Sequence, residues 1–160
     1  MKISIIMGSK SDYPKLEEGI ALIKEFGIKA EVRALSAHRT PKQLMSFLNE
    51  IESDTDVIIA AAGKAAHLPG VIASHTLIPI VGLPIKSSTL DGLDSLLSIV
   101  QMPKGIPVAT VTIDSGLNAA LMAIQIMSIK YPELKQKLKS YRIEMEKKVL
   151  EDDEKLMGGL

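Results

Sequence analysis

The sequence predicts an α/β protein with a five-stranded parallel sheet between two layers of helices. Three observations carry this. Strand-like and helix-like stretches alternate five times, with connections too long for hairpins, so crossovers must join the strands. Val57-Ile58-Ile59-Ala60-Ala61-Ala62 is apolar throughout and short, the pattern of a strand buried on both faces. Strand-like runs open onto polar loops, and open parallel sheets bind ligands at the carboxyl ends of their strands.

Taken in order, Ile3 to Met7 reads as the first strand and Gly8-Ser9-Lys10-Ser11-Asp12 as its loop. Asp12 is placed to cap the next helix, Pro14 fits a first turn, and Leu16, Ile20, Ile23 and Phe26 form one apolar face. Gly27 suits a helix stop. Ala30, Val32 and Ala34 alternate with Glu31 and Arg33, which predicts a half-exposed strand near a sheet edge. Thr40 and Gln43 have capping-box spacing with Pro41 at the first helical position. That helix runs to about Glu52, with Leu44, Phe47, Leu48 and Ile51 inward.

The third strand ends in Gly63, where a tight turn is expected, and a short helix follows Pro69. Ile78 to Leu83 is the fourth strand and Pro84 to Thr89 its loop. A helix over 91–100 turns Leu93, Leu96, Leu97 and Val100 inward, and Pro107 to Ile113 is strand five. The helix from about Leu117 to Lys130 has little polar surface, which predicts burial all round, partly by another subunit. After Pro132, Leu134, Leu138, Tyr141, Met145 and Val149 form a stripe amid Lys and Glu, a second face in need of a neighbour. The expected strand order is 2-1-3-4-5, the flavodoxin-like order, with the crevice between strands one and three. Residues 1–160 are expected to form a single domain, its core at about 2–130 and its last helix at about 132–157.

Bulk composition narrows the function. A chain of 160 residues can bury a core without staples, and the absence of Cys removes disulfides and thiolate metal sites. Formal net charge is 0, against a protein built to hold nucleic acid. No apolar run reaches the ~18 residues of a membrane span. The first residues enter a strand without a signal-peptide pattern, so a cytoplasmic protein is expected.

Three loops carry chemistry. In the first, backbone N–H groups, Ser9 and Ser11 suit an anion such as phosphate, whereas Asp12 suits ribose hydroxyls; a capped turn would use the same residues. The spacing is not that of a Walker loop. In Ser36-Ala37-His38-Arg39-Thr40, His38 can move protons near neutral pH and Arg39 can grip phosphate. His67, in the third, is either a second proton carrier or a residue that orients the first. His75 lies late in a helix and reads as structural; Ser87-Ser88-Thr89 either lines the site or merely forms a loop, and loop is the preferred reading. The residues alone lead to a site for a phosphorylated small molecule with histidine acid–base chemistry.

Gly8-Ser9-Lys10-Ser11-Asp12, Ser36-Ala37-His38-Arg39-Thr40-Pro41, Ala65-Ala66-His67-Leu68-Pro69-Gly70 and Asp94-Ser95-Leu96-Leu97-Ser98-Ile99-Val100-Gln101-Met102-Pro103 together resemble the signatures of one family. It is the N5-carboxyaminoimidazole ribonucleotide mutases of purine biosynthesis, often called phosphoribosylaminoimidazole carboxylase catalytic subunits. The resemblance runs from about Lys2 to Val149. It implies a flavodoxin-like fold, a homo-octamer whose C-terminal helices reach onto neighbours, a small ribonucleotide substrate, and neither metal nor organic cofactor. By position it implies that Ser9, Asp12 and Arg39 hold the ribose phosphate, with Ser11 and Ser36 beside them. His38 becomes the proton carrier, assisted by His67. Gly63, Ala65, Ala66 and Leu68 belong to a loop that closes over the imidazole and carboxylate. Lys64 stands where a second glycine is expected, its side chain turned away from the imidazole or at most meeting the substrate carboxylate. The rival readings are a CO2-dependent aminoimidazole ribonucleotide carboxylase and a non-catalytic flavodoxin-like binding module.

Overall fold

The computed structural model describes residues 1–159. The chain divides into two compact units, Met1–Ile124 and Gln125–Leu160. In the first unit, five parallel strands take the order β2-β1-β3-β4-β5, as expected. They are β1 (Lys2–Met7), β2 (Lys29–Ala34), β3 (Val57–Gly63), β4 (Ile80–Ile85) and β5 (Ala109–Thr110). β2 is an edge strand with half-exposed side chains, which is why its sequence alternates.

Helices α1 (Glu17–Glu25), α2 (Pro41–Ile51), α3 (Leu68–Ala73) and α4 (Leu93–Val100) connect the strands, and α5 (Gly116–Met127) follows the sheet. Leu44, Phe47, Leu48 and Ile51 of α2, Leu68 and Ile72 of α3 and Ile99 of α4 pack with Ile6, Ile58, Ala60, Ala62 and Ile80 into one core cluster. Alternation along β1 and β3 turns Ile3, Ile5, Ile59 and Ala61, all buried, to the opposite face. α1 and the start of α5 approach so closely that a Cβ on Gly19 would lie 2.2 Å from the Gly116 carbonyl oxygen. α1 buries the expected Leu16, Ile20, Ile23 and Phe26, and it ends at Gly27 with φ +76°, as expected. There Ile28 N–H bonds back to the Ile23 carbonyl.

Several local expectations are corrected. Asp12 does not cap α1; it lies in a 3-10 turn, Lys10–Lys15, capped by the Ser9 side chain. Thr40 makes no capping-box bond: its hydroxyl accepts from Ser36 N at 2.8 Å and faces the Ser36 carbonyl at 3.2 Å, closing the loop onto itself. β4 lies two residues later than expected and contains Pro84. Pro84 is tolerated because its side of β4 faces chain beyond the short β5: its carbonyl accepts from Asp114 N, outside the ladder, and no strand there needs its missing N–H. β5 forms only at Ala109–Thr110.

In α4 the inward residues are Ser95 and Ile99, whereas Leu93, Leu97 and Val100 are about half exposed at 48, 49 and 50%. Ser95 can sit inside because its hydroxyl meets the carbonyls of Ile85 at 2.9 Å and Gly92 at 2.8 Å. Within one chain, Leu117, Leu121 and Met122 of α5 are half-buried. In the second unit, α6 (Pro132–Gly158) buries Leu134 and Leu138 and exposes Ile143, Met145, Val149 and Leu150.

Candidate active site

The loops after β1, β2, β3 and β4 meet at the carboxyl edge of the sheet around a cleft of about 680 Å³. Strand order creates it, because chain leaving β1 and chain leaving β3 depart on opposite sides of adjacent strands.

The β1 loop turns sharply under its own hydroxyls. Ser11 donates from its backbone N at 3.3 Å and from its hydroxyl at 2.9 Å to Ser9 Oγ, and Asp12 N–H bonds the Ser9 carbonyl. Burial pushes the Asp12 carboxyl above its ordinary range, opposed by hydrogen bonds from Ser11 and Ser9 and by the Arg39 charge.

The β2 loop is tied to that turn. Arg39 Nη2 donates to the Gly8 carbonyl at 2.8 Å, and Arg39 N donates to Ser36 Oγ at 3.2 Å. Arg39 is thereby aimed along the cleft wall before any ligand arrives. His38, one residue earlier, reaches the other way. Its Nε2 lies 2.9 Å from His67 Nδ1, and the rings meet edge to face, 5.1 Å between centroids and 88° between planes. One of the two nitrogens donates and the other accepts, so the pair holds a single proton between them.

The β3 loop supplies His67, which stands at the N-terminal cap of α3. The turn that delivers it runs not through Gly63 but through Lys64, in the left-handed conformation with φ +57°. Gly63 is needed for another reason: a Cβ there would stand 3.2 Å from the Ile85 carbonyl oxygen, where β3 passes β4. Asp114, also left-handed at φ +59°, braces the fourth side. Its carboxylate accepts from Lys86 N at 2.8 Å and pairs with Lys15 Nζ at 2.9 Å, joining the β4 and β1 loops.

Of the residues singled out in sequence, Ser9, Ser11, Asp12, Ser36, His38, Arg39, Gly63, Ala65, His67 and Leu68 line this cleft. Ala66 does not. It is 1% exposed and its side chain packs in the core cluster beneath the loop, between the exposed Ala65 and His67. His75 stays away from the cleft, bonded to the Val71 carbonyl at 2.8 Å. Lys64, already placed in the loop over the imidazole, also lines the cleft, as do Ile85, Lys86 and Ser87, which the sequence assigns to the loop after the fourth strand. The place of the last three in the cleft was obscured by the two-residue error in β4: a strand ending at Ile85 puts Lys86-Ser87 at the sheet edge, the position that gave the other loops away. Among the described residues, no group of three or more His, Asp or Glu is placed to hold a metal.

Residues 2–148 match the family model described as AIR carboxylase. The chain belongs to the AIR carboxylase family. Among the family's curated members, the N5-carboxyaminoimidazole ribonucleotide mutase of Pyrococcus horikoshii is 54% identical over 96% of this chain and 88% of its own length. The protein of the same name from Thermotoga maritima is 50% identical, over 97% and 91%. The crystal structure of Treponema denticola PurE superposes with a TM-score of 0.89 at 33% identity, covering 97% of this chain and 98% of that one. This AIR carboxylase family member therefore has the family's fold from β1 into α6.

Proposed function

We propose that this chain is an N5-carboxyaminoimidazole ribonucleotide mutase, converting that ribonucleotide to 4-carboxy-5-aminoimidazole ribonucleotide in purine biosynthesis. The observation that carries the site assignment is the His38–His67 contact of 2.9 Å on the wall of a cleft shared with Arg39 and Asp12. Relatives 50–54% identical over nearly the whole chain carry the mutase name.

The reaction is an isomerisation. The N–C bond to the carboxylate breaks with its electron pair kept by nitrogen, which takes a proton, and CO2 is released beside an electron-rich ring. C4 then attacks CO2, and the proton on C4 leaves to restore the aromatic ring. One proton is given and one taken back, which a single imidazole can do near neutral pH. His38 fills that role, and His67 orients it and shares its proton. A closed pocket holds CO2 next to C4, sparing the entropic cost of a second encounter. Arg39 and the β1 loop bind the ribose phosphate, and Asp12 takes ribose hydroxyls.

We further infer a cytoplasmic homo-octamer. Leu93, Leu97 and Val100 on α4, and Met145 and Val149 on α6, leave two apolar faces exposed on a single chain. Closed symmetric assembly covers such faces. Sedimentation velocity at micromolar concentration is expected to give one large species; a stable monomer overturns the assembly.

The description of the family model, AIR carboxylase, keeps one alternative in view, carboxylation of aminoimidazole ribonucleotide by CO2. Incubation with each ribonucleotide, with and without bicarbonate, decides. The mutase turns over the N5-carboxy compound regardless of bicarbonate. The carboxylase requires aminoimidazole ribonucleotide and bicarbonate, and a binding module turns over neither.

A further inference from the structure

Three side-chain cations line the cleft: Arg39, Lys64 and Lys86. Two are engaged. Arg39 holds the Gly8 carbonyl, and Lys86 pairs with Asp91 at 3.0 Å. Lys64 is exposed and has no hydrogen bond or ion pair with any described residue. It also occupies backbone space that a glycine would enter freely, with φ +57°. A lysine kept where its backbone is disfavoured, on the wall of a cleft and with its charge uncommitted, is arranged for a ligand.

We propose that Lys64 is a substrate-binding residue that takes the carboxylate being moved, which makes it a determinant of specificity for carboxylated over uncarboxylated ribonucleotide. The inference rests on the mutase reading. The substrate then carries two anionic groups, a phosphate and a carboxylate. The phosphate has its donors in Arg39 and the backbone N–H groups of the β1 loop. Lys64 is three residues before His67, on the loop that carries the second member of the histidine pair, so its charge belongs to the end of the cleft where the ring reacts. A flexible ammonium suits a carboxylate that changes place, because it can follow the group from nitrogen to C4 as a point charge, where a rigid fork would hold it in one position. Among the described residues Asp12 is the cleft's one carboxylate, and it sits on the β1 loop, so it does not compete for the Lys64 charge at that end.

Isothermal titration with two ligands tests this. Both 4-carboxy-5-aminoimidazole ribonucleotide and aminoimidazole ribonucleotide are titrated into the wild type, Lys64→Met, Lys64→Gly and Lys64→Arg. Loss of the ammonium in the Met and Gly variants is expected to weaken the carboxylated ligand by about 5- to 20-fold, as for a partly exposed charge-assisted hydrogen bond. The uncarboxylated ligand is expected to bind those variants within about twofold of wild type, and Lys64→Arg to keep most of the discrimination. Lys64→Gly relaxes the backbone, so it is expected to melt no lower than wild type, and it serves if Lys64→Met does not fold. Equal weakening of both ligands, or weakening of neither, overturns the carboxylate role while leaving the mutase reading intact. A wild type that binds neither ribonucleotide overturns the mutase reading and this inference with it.

Discussion

His38 Nε2 and His67 Nδ1 stand 2.9 Å apart although they leave the sheet from β2 and β3, two strands separated by β1. The contact bridges the strand around which the chain reverses its order. It leaves His38 Nδ1 and His67 Nε2 without a hydrogen bond inside the described chain, so the pair can exchange a proton with a ligand while still sharing one. His38→Asn keeps some bulk and hydrogen bonding but cannot carry a proton. We expect kcat to fall by roughly 10²–10⁴-fold, with melting temperature and assembly unchanged. His67→Asn, whose amide can still meet His38, is expected to lose less. Near-normal turnover of His38→Asn, after correction for spontaneous rearrangement, would move the proton to His67.

Arg39→Ala should act on binding. A grip on a non-reacting phosphate is equally strong in the ground and transition states, so its loss raises KM and spares kcat. We expect KM to rise by roughly 10- to 100-fold, as for a lost charged hydrogen-bonding group. Arg39→Lys should recover little, because a point charge cannot hold both the Gly8 carbonyl at 2.8 Å and a phosphate. A fall in kcat at constant KM would place Arg39 in the chemistry instead.

Asp12 predicts a pH dependence of stability. Its carboxyl is held above the ordinary range by burial, so in the unliganded protein the folded state binds its proton more tightly than the unfolded chain does. The stability it contributes is present in acid and lost as pH rises through the folded value. Asp12→Asn removes that dependence. The melting-temperature difference, variant minus wild type, is therefore expected to grow more positive as pH rises through the carboxylate range and then level off. Ligand affinity should fall in the same variant. A difference that shrinks with rising pH would contradict the burial argument.

Gly19→Ala and Gly116→Ala test the seam between α1 and α5. An added Cβ would lie 2.2 Å from the Gly116 carbonyl oxygen in the first case and 2.2 Å from the Lys15 carbonyl oxygen in the second. Both neighbours are backbone and cannot step aside. Each variant is expected to lose about 1–3 kcal/mol or more by denaturant unfolding. Gly105→Ala is the control for added bulk, since nothing lies within 4 Å there, although its φ of +97° carries a strain of its own.

The sheet order and three of the four site loops were legible because they follow from short, strongly patterned stretches: a strand that is mostly apolar or alternates, then a glycine or hydroxyl, then a charge. The fourth is legible as a loop over 84–89 but not as a wall of the site, because the strand reads as ending before Pro84, and only the brevity of β5 lets that proline stand inside β4. The outward leucines of α4 were misread for a related reason. Apolar residues on that helix exceed what one face needs, and the polar Ser95 takes an inward place through bonds to two carbonyls. Periodicity reports which residues avoid water, not which surface hides them. The burial of the Ala66 side chain is hidden likewise, since a motif names neighbours in sequence and not the sides to which their side chains turn.

β2 has one ladder partner, β1, and it delivers both His38 and Arg39. Lys2 fastens that edge, its ammonium 2.6 Å from Glu31 Oε2 and 2.8 Å from Asp54 Oδ1. Burial alone would lower the Lys2 pKa, but the Asp54 and Glu31 carboxylates outweigh it and raise it. Arg33 adds a guanidinium 4.5 Å from the centre of the Phe47 ring. Disabling the site therefore requires only that one border strand detach, a sub-global opening that leaves β1, β3 and β4 paired. Amide hydrogen exchange along residues 29–34 measures how often that happens, and activity is expected to be lost on heating where the edge frays, below the temperature at which the core melts.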